Sequence, residues 1–314
     1  MTEYGLGAKP SPPDPRDFPI SKLYALRGIT PVAVPDNYTV PALLPPILNQ
    51  GNTPQCVAYS SASLKGYEDR IDQGQFFDWD EAKFFLRIGG GIDGAYVRDA
   101  FKQMLANGYP VRSIDTSTDH KIAAYYAVPV TILDMQNALM AFGPLVLGMT
   151  WYNSMFNPSP SGIITVDTSS GVAGGHAIFL EGWALINGGR YWILRNSWGS
   201  GWGLNGVAYM PFSATHIIGE VWKAVDAIEV PFSITITPYI APKLVTVHKG
   251  FLTGYNAAGQ TKTHFWWHDS RCHADAHVSI TGPYGIKPPR GEFERIKDGF
   301  YAGYWILTSK VTVS

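Results

Sequence analysis

Cysteine is nearly absent from this chain: Cys56 and Cys272 are the only two thiols in 314 residues. If one of them has to stay reduced, no structural disulfide is available and the fold must rely on its core. Charge is also scarce, at 16% of residues with a formal net charge of −1, so nothing electrostatic favours nucleic acid as a partner. No apolar run approaches the roughly 18 residues a membrane-spanning helix needs. The segment Met1 to Pro10 has no basic stretch leading into an apolar one, so no secretory signal is read there and synthesis in a cytoplasm is expected. What is plentiful is apolar and aromatic side chain, 46% and 13%, which excludes wholesale disorder and suits a globular chain of two domains.

Three short strings carry the chemistry. Asn49 to Cys56 supplies a carboxamide, Gln50, and a thiol. Gly174-Gly175-His176-Ala177 supplies an imidazole, and Arg195 to Gly199 a second carboxamide, Asn196, followed by Trp198. A thiol of ordinary pKa is mostly protonated at neutral pH, so a nucleophilic sulfur needs a nearby cation or a helix N-terminus. His176 is the candidate cation, and residues 57–67 read as a helix that would place Cys56 in its first turn. An imidazole that holds and then donates a proton needs its other nitrogen tied down, a task for Asn196, with Trp198 shielding that bond. Gln50 is close enough to aim its amide, with the Cys56 N–H, at a developing oxyanion.

The order Gln, Cys, His, Asn, and the string Asn196-Ser197-Trp198-Gly199-Ser200-Gly201-Trp202-Gly203, resemble the papain-like (C1) cysteine peptidases. The resemblance spans roughly residues 36 to 228 and implies Gln50 as oxyanion-hole residue, Cys56 as nucleophile, His176 as base and acid, and Asn196 as orienting residue. It further implies Trp198 over the Asn–His pair and Trp202 on the leaving-group side of the cleft. Asp93 and Gly94 close a loop placed like the family's glycine-rich wall, whose backbone pairs with extended substrate. Gly174, Gly175 and Ala177 flank the histidine, and Gly174 strips a side chain from the wall of the pocket for the second residue before the cut. The chain departs from the animal and plant members at Thr53 and Val57, where they carry Cys and Trp, and at Pro54. It therefore looks more like a bacterial or bacteriophage branch, for which incorporation into a virion or release by lysis fits as well as a cytoplasmic setting.

Along the chain, residues 1–35 hold seven prolines and no helix or strand periodicity, and read as an extended arm. The arm is read as packing across the back of a catalytic domain at 36–229, in preference to blocking its cleft. Within that domain Val97 to Leu105 and Asp134 to Phe142 have helical spacing, and Leu145–Thr150, Ala177–Gly182, Tyr191–Arg195 and Gly206–Met210 read as strands. A helical half followed by a strand-rich half is the two-lobed α+β arrangement that the resemblance implies, Cys56 on one lobe and His176 and Asn196 on the other.

From 230 to 314 short alternating runs separated by Gly and Pro suggest a small all-β sandwich or barrel, with nine Lys and Arg against five Asp and Glu from 231 on. His264, His268, His273 and His277 crowd beside Cys272, a density able to hold a transition metal. If 269–271 forms a hairpin turn, however, alternation puts His273 and His277 on one face and Cys272 on the other. A solvated polar face beside a buried thiol is therefore the favoured reading, and no metal or organic cofactor is expected. The β domain's partner is left open between a protein, a carbohydrate and the catalytic domain itself. The function expected is a cysteine endopeptidase acting on peptides or proteins. The competing one is a structural or adhesive protein, such as a virion component, built on the same scaffold.

Overall fold

A computed structural model describes residues 4–29, 33–40, 44–112 and 120–226, and beyond these the backbone of the strands between 233 and 313. The chain divides into two compact units, Met1–Asp226 and Ala227–Ser314. The first unit runs β1 (Ala8–Lys9), α1 (Ile20–Arg27), β2 (Tyr38–Thr39), α2 (Cys56–Gln73), α3 (Glu81–Arg87), β3 (Ala95–Tyr96), α4 (Val97–Asn107), β4 (Ala124–Ala127) and α5 (Ile132–Phe142). It continues with β5 (Leu145–Tyr152), β6 (Val172–Ile186), β7 (Gly189–Arg195), β8 (Val207–Pro211) and β9 (Ile218–Val225). Among the described residues no helix is long and apolar enough to cross a membrane.

The expected two lobes are there. α2 is the spine of the helical lobe. Its small residues Ala58, Ser61 and Ala62 are fully buried and let neighbours pack close, and Gly74 ends it in the left-handed region at φ 75°. α4 buries Val97, Ala100, Phe101 and Met104 on one stripe and stops at Gly108, φ 78°. The second lobe is an antiparallel sheet in the order β4-β9-β5-β6-β7-β8, with β2 paired to β6. β6 is buried without interruption from His176 to Trp183, as a strand covered on both faces must be. Trp151, Trp183 and Trp192 are fully buried around it, and each Leu, Ile or Phe of this core adds about 1.5–3 kcal/mol.

Several expectations are corrected. The proline-rich segment is not uniformly extended: Ile20–Arg27 is a helix, entered from Pro19 at ψ 147° and closed by Gly28 at φ 61°, with Ile20 and Leu23 turned into the core. β4 and β9 were not foreseen, because their pairing joins segments about 100 residues apart. The arm packs on the domain only in part as expected, Phe18 and Pro19 meeting Ala127 of β4 and Tyr24 meeting Phe142 of α5. Its residues 4–9 lie in the cleft, where β1 pairs in parallel with β3.

Among its described residues the second unit carries β-strands alone, joined in one seven-stranded antiparallel sheet. In chain order it comprises β10 (Ser233–Val247), β11 (Gly250–Tyr255), β12 (Thr261–Trp266), β13 (Ser270–Thr281), β14 (Gly291–Ile296), β15 (Trp305–Leu307) and β16 (Val311–Val313). β12 and β13 are not neighbours, so the hairpin expected at 269–271 does not form. The register also shifts between Ala274 and Ala276, interrupting the alternation on which the two-face reading of His273 and His277 relied. The side chains of His264, His268, His273, His277 and Cys272 lie outside the described residues.

Candidate active site

Cys56 opens α2. No side chain caps that helix end, so its first N–H groups are left free to face the sulfur. His176 comes from β6 opposite Met149 of β5, and Asn196 directly follows β7. The β6–β7 hairpin turns through Asn187 and Gly188, both at positive φ, and returns with Arg195 opposite Phe179, which brings Asn196 alongside His176. Asn196 Oδ1 accepts from His176 Nε2 at 2.8 Å and from the Ser197 N–H at 2.8 Å. A backbone N–H can only donate, so the atom facing the ring is the oxygen, Nε2 carries the proton, and Nδ1 of the neutral ring is a bare lone pair.

Gln50 is fixed by the same logic. Its Oε1 accepts from Ser197 Oγ at 2.7 Å, and its Nε2 donates to the carbonyls of Thr53 at 2.7 Å and Gly5 at 3.1 Å. The amide N–H therefore points into the cleft beside the Cys56 end of α2. The main chain reinforces this: Gln50 N–H donates to Ser197 C=O and Gly199 N–H to Leu48 C=O, zipping the strand before α2 to the segment after β7. Ser197 thus positions Gln50 and helps orient Asn196, a role its place beside Asn196 gave no reason to expect.

The two lobes meet at the sulfur. The N–H of Ala177, next to His176, donates to Cys56 Sγ at 3.4 Å. Among the described residues His176 Nδ1 has no hydrogen-bond partner, so sulfur and ring do not form the charged couple expected of them in this state. Burial is the reason. Cys56 and His176 are each 0% exposed. Burial pushes the thiol up to about 11, against the N–H groups of Ala177, Gly7 and Val57, which favour the thiolate. Burial likewise pushes His176 down to about 4, the bond to Asn196 opposing it. With water excluded, both groups rest neutral.

Aromatic rings complete the burial. Trp198 stacks on the His176 ring at 4.7 Å, covering the bond to Asn196, and Trp151 meets the ring edge-on at 4.8 Å. Trp202 is buried behind Trp198 and donates to Phe156 C=O at 2.8 Å, so it backs the cleft from inside. Asp93 is exposed at the tip of the Gly91–Gly94 turn, whereas Gly94, at φ 84°, is buried against the arm. Gly174 and Gly175 form the opposite wall. Beyond them a cavity of about 340 Å³ opens between the arm and β5, lined among others by Gly148, Thr150, Gly174 and Glu220.

Residues 89–219 match the family model described as papain family cysteine protease. That span holds His176 and Asn196, while Gln50 and Cys56 precede it. A cysteine protease of Blomia tropicalis is 26% identical over 193 residues, 54% of this chain and 58% of that protein. Cathepsin O of Homo sapiens is 40% identical over 80 residues, 24% of this chain and 23% of that protein. The chain thus spans little more than half of the first relative's length and a quarter or less of the second's. Among solved structures, xylellain, a cysteine protease from Xylella fastidiosa, superposes with a TM-score of 0.61 at 22% identity over 72% of this chain and 97% of that one. The bromelain protease from Ananas comosus in complex with the E64 inhibitor gives 0.51 at 19% identity, over 62% and 100%. At these identities the structural likeness is one of fold.

Proposed function

We propose that this chain, which belongs to the papain family of cysteine proteases, hydrolyses peptide bonds with Cys56 as nucleophile and His176 as its acid and base. The observation that carries this reading is the meeting of the lobes: the N–H beside His176 touches Sγ, while Asn196 holds the far ring nitrogen protonated. That leaves Nδ1 as the acceptor for the thiol proton once water or substrate relieves the burial. The thiolate then attacks a peptide carbonyl carbon, and the oxygen's charge is taken up by the Gln50 amide and the Cys56 N–H. The imidazolium passes its proton to the leaving amine, giving a thioester. Water, deprotonated by His176, then cleaves the thioester and restores the thiol. An extended peptide is the substrate class supported by the cleft walls, whose Ala95 N–H and Gly175 C=O already pair with an extended backbone.

The test is labelling by the epoxide E-64 and cleavage of casein or a peptide library at neutral pH with reductant. Cys56→Ala should abolish both. E-64 labelling that persists in the Cys56→Ala protein would overturn the assignment of the nucleophile.

A further inference from the structure

We propose that Trp151 is a positioning residue for the peptidase reaction: its indole walls in the side of the His176 imidazole and fixes the plane in which that ring moves a proton. The inference rests on His176 being the acid and base, and it names a residue outside the three strings that carry the chemistry.

β5 and β6 pair with Met149 opposite His176. Trp151 follows two residues later on β5, so it shares a face of the sheet with Met149 and stands diagonal to the histidine, within reach for an aromatic side chain. Its ring centroid lies 4.8 Å from that of His176 at 70° and 5.2 Å from that of Trp198 at 85°, while His176 and Trp198 stack on each other at 4.7 Å. Three nearly equal distances and two steep angles put Trp151 beside the stacked pair and across both of its rings. Trp151 is held in its turn by Trp202 at 6.3 Å and Phe156 at 6.4 Å, and Trp202 is itself tied to the Phe156 C=O at 2.8 Å.

A hydrogen bond of its own does not explain this place. Among the described residues Trp183, Trp192, Trp198, Trp202 and Trp222 each donate their indole N–H to an oxygen, at distances between 2.7 and 3.2 Å. Trp151 is 0% exposed, and its Nε1 has no partner. A buried donor left unpaired costs stability that an apolar side chain of similar size would not. Such a departure is expected where a side chain is placed for function. What the indole touches is the imidazole.

The imidazole needs that wall. One hydrogen bond, from Nε2 to Asn196 Oδ1, leaves the ring free to tilt about it and carry Nδ1 away from the sulfur. Trp198 covers a face of the ring and opposes motion towards itself, and Trp151 closes the side. An atom that takes a proton from Sγ and later gives it to a leaving amine has to return to the same place each time. A displacement of about 1 Å can cost about 10²-fold in rate.

The test uses the full chain and four variants: Trp151→Leu and the more adaptable Trp151→Met, which remove the aromatic wall; Trp151→Phe, which keeps a ring there; and Trp192→Leu as a control. Trp192 is as deeply buried in the same sheet, but its contacts are Thr215 and Phe212, neither of them a site residue. The readouts are kcat and KM on a peptide substrate, the urea midpoint, and exchange of the His176 Nε2 proton with water, followed by NMR and assigned with His176→Gln. Trp151→Leu and Trp151→Met should lower kcat about 10- to 100-fold with KM within about twofold, the pattern of a contact that matters in the transition state, and should speed the Nε2 exchange. Trp151→Phe should recover most of both. Trp192→Leu should lose stability with kcat unchanged. A full chain whose Nε2 proton exchanges as fast as that of the exposed His216 would overturn the role of Trp151 whatever the variants do. So would kcat and exchange unchanged in the Leu and Met variants, or a kcat loss as large in the control, and peptide cleavage by the full chain would then leave the peptidase reading standing. Absence of cleavage by the full chain would overturn the peptidase reading, and Nε2 exchange in the variants would still decide whether Trp151 fixes the ring.

Discussion

Among the polar side chains buried in the first unit, two sets are buried on different terms. At the far end of α2, Lys65 Nζ lies 2.6 Å from Asp69 and 2.5 Å from Asp226, with all three side chains at most 8% exposed, and Asp69 also meets His120 at 3.0 Å. Against the pull of burial, Asp226 and Asp69 keep the Lys65 ammonium charged, and His120 and Lys65 keep Asp69 ionised. At the near end of the same helix, Cys56 and His176 are at least as deeply buried and have no ion to face. Burial there drives both groups neutral. The difference is that ionic partners oppose burial at Lys65 and Asp69, although burial raises even Asp226 to about 8, whereas no ion opposes it at Cys56 and His176. The Cys56–His176 pair is covered by residues 4–9, which are joined to the cleft walls through backbone hydrogen bonds.

The contrast breaks most visibly at Lys65. Lys65→Ala leaves two carboxylates buried without their cation and should lower stability by about 3–5 kcal/mol, read from the urea midpoint. Cys56→Ala, at the same depth but neutral, should cost about 1 kcal/mol or less. Equal losses would erase the distinction.

Next comes Gln50, a neutral group whose worth in the proposed reaction lies in the transition state. Gln50→Ala should reduce kcat by about 10²–10³-fold with little change in the urea midpoint. A variant that loses stability in proportion to activity would show Gln50 to be a structural strut between Ser197 and Thr53.

The last effect is one of pH. His176 is pushed from near 6.5 down to about 4, so the unfolded chain takes a proton that the folded one refuses. Stability should be complete above about 6.5 and fall as pH drops towards 4. Cys56 is pushed from about 9 up to about 11, so the unfolded thiol ionises first and stability should fall as pH rises through that window. Thermal unfolding of the parent against His176→Gln checks the acid side, where the variant's profile should be flatter. Identical slopes would mean that the ring is hydrated in solution and the cleft is open.

Much of the site was legible in the residues. Asn196 to Gly203, Gly174 to Ala177 and Gln50 to Cys56 are local strings, and the helix from Cys56, the stop at Gly108 and most of β5 to β8 follow from periodicity and turn residues. Lys65 and Asp69 were not legible as core. On a helix they read as an ordinary i, i+4 surface pair, and only the arrival of Asp226 and His120 reveals them as buried. The arm was misplaced for a related reason. Gly5 and Gly7 look like linker, and their partners Gly51, Ala95 and Gly175 are about 45 to 170 residues away, so no window of the sequence contains both sides of the contact. The Gly5-Leu6-Gly7 spacing, two residues without side chains flanking an apolar one, was the available signal.

The sequence by itself determined the chemistry proposed here: which atom would attack, which ring would move the proton and which amides would support them, since each choice follows from a side chain's functional group and its near neighbours. Only the tertiary structure decided whether that chemistry is exposed. Solvation of the sulfur and the imidazole depends on what lies over them, and the covering segment is set by backbone hydrogen bonds and by the room that Gly94 and Gly175 leave, both properties of elements distant along the chain and adjacent only once it is folded.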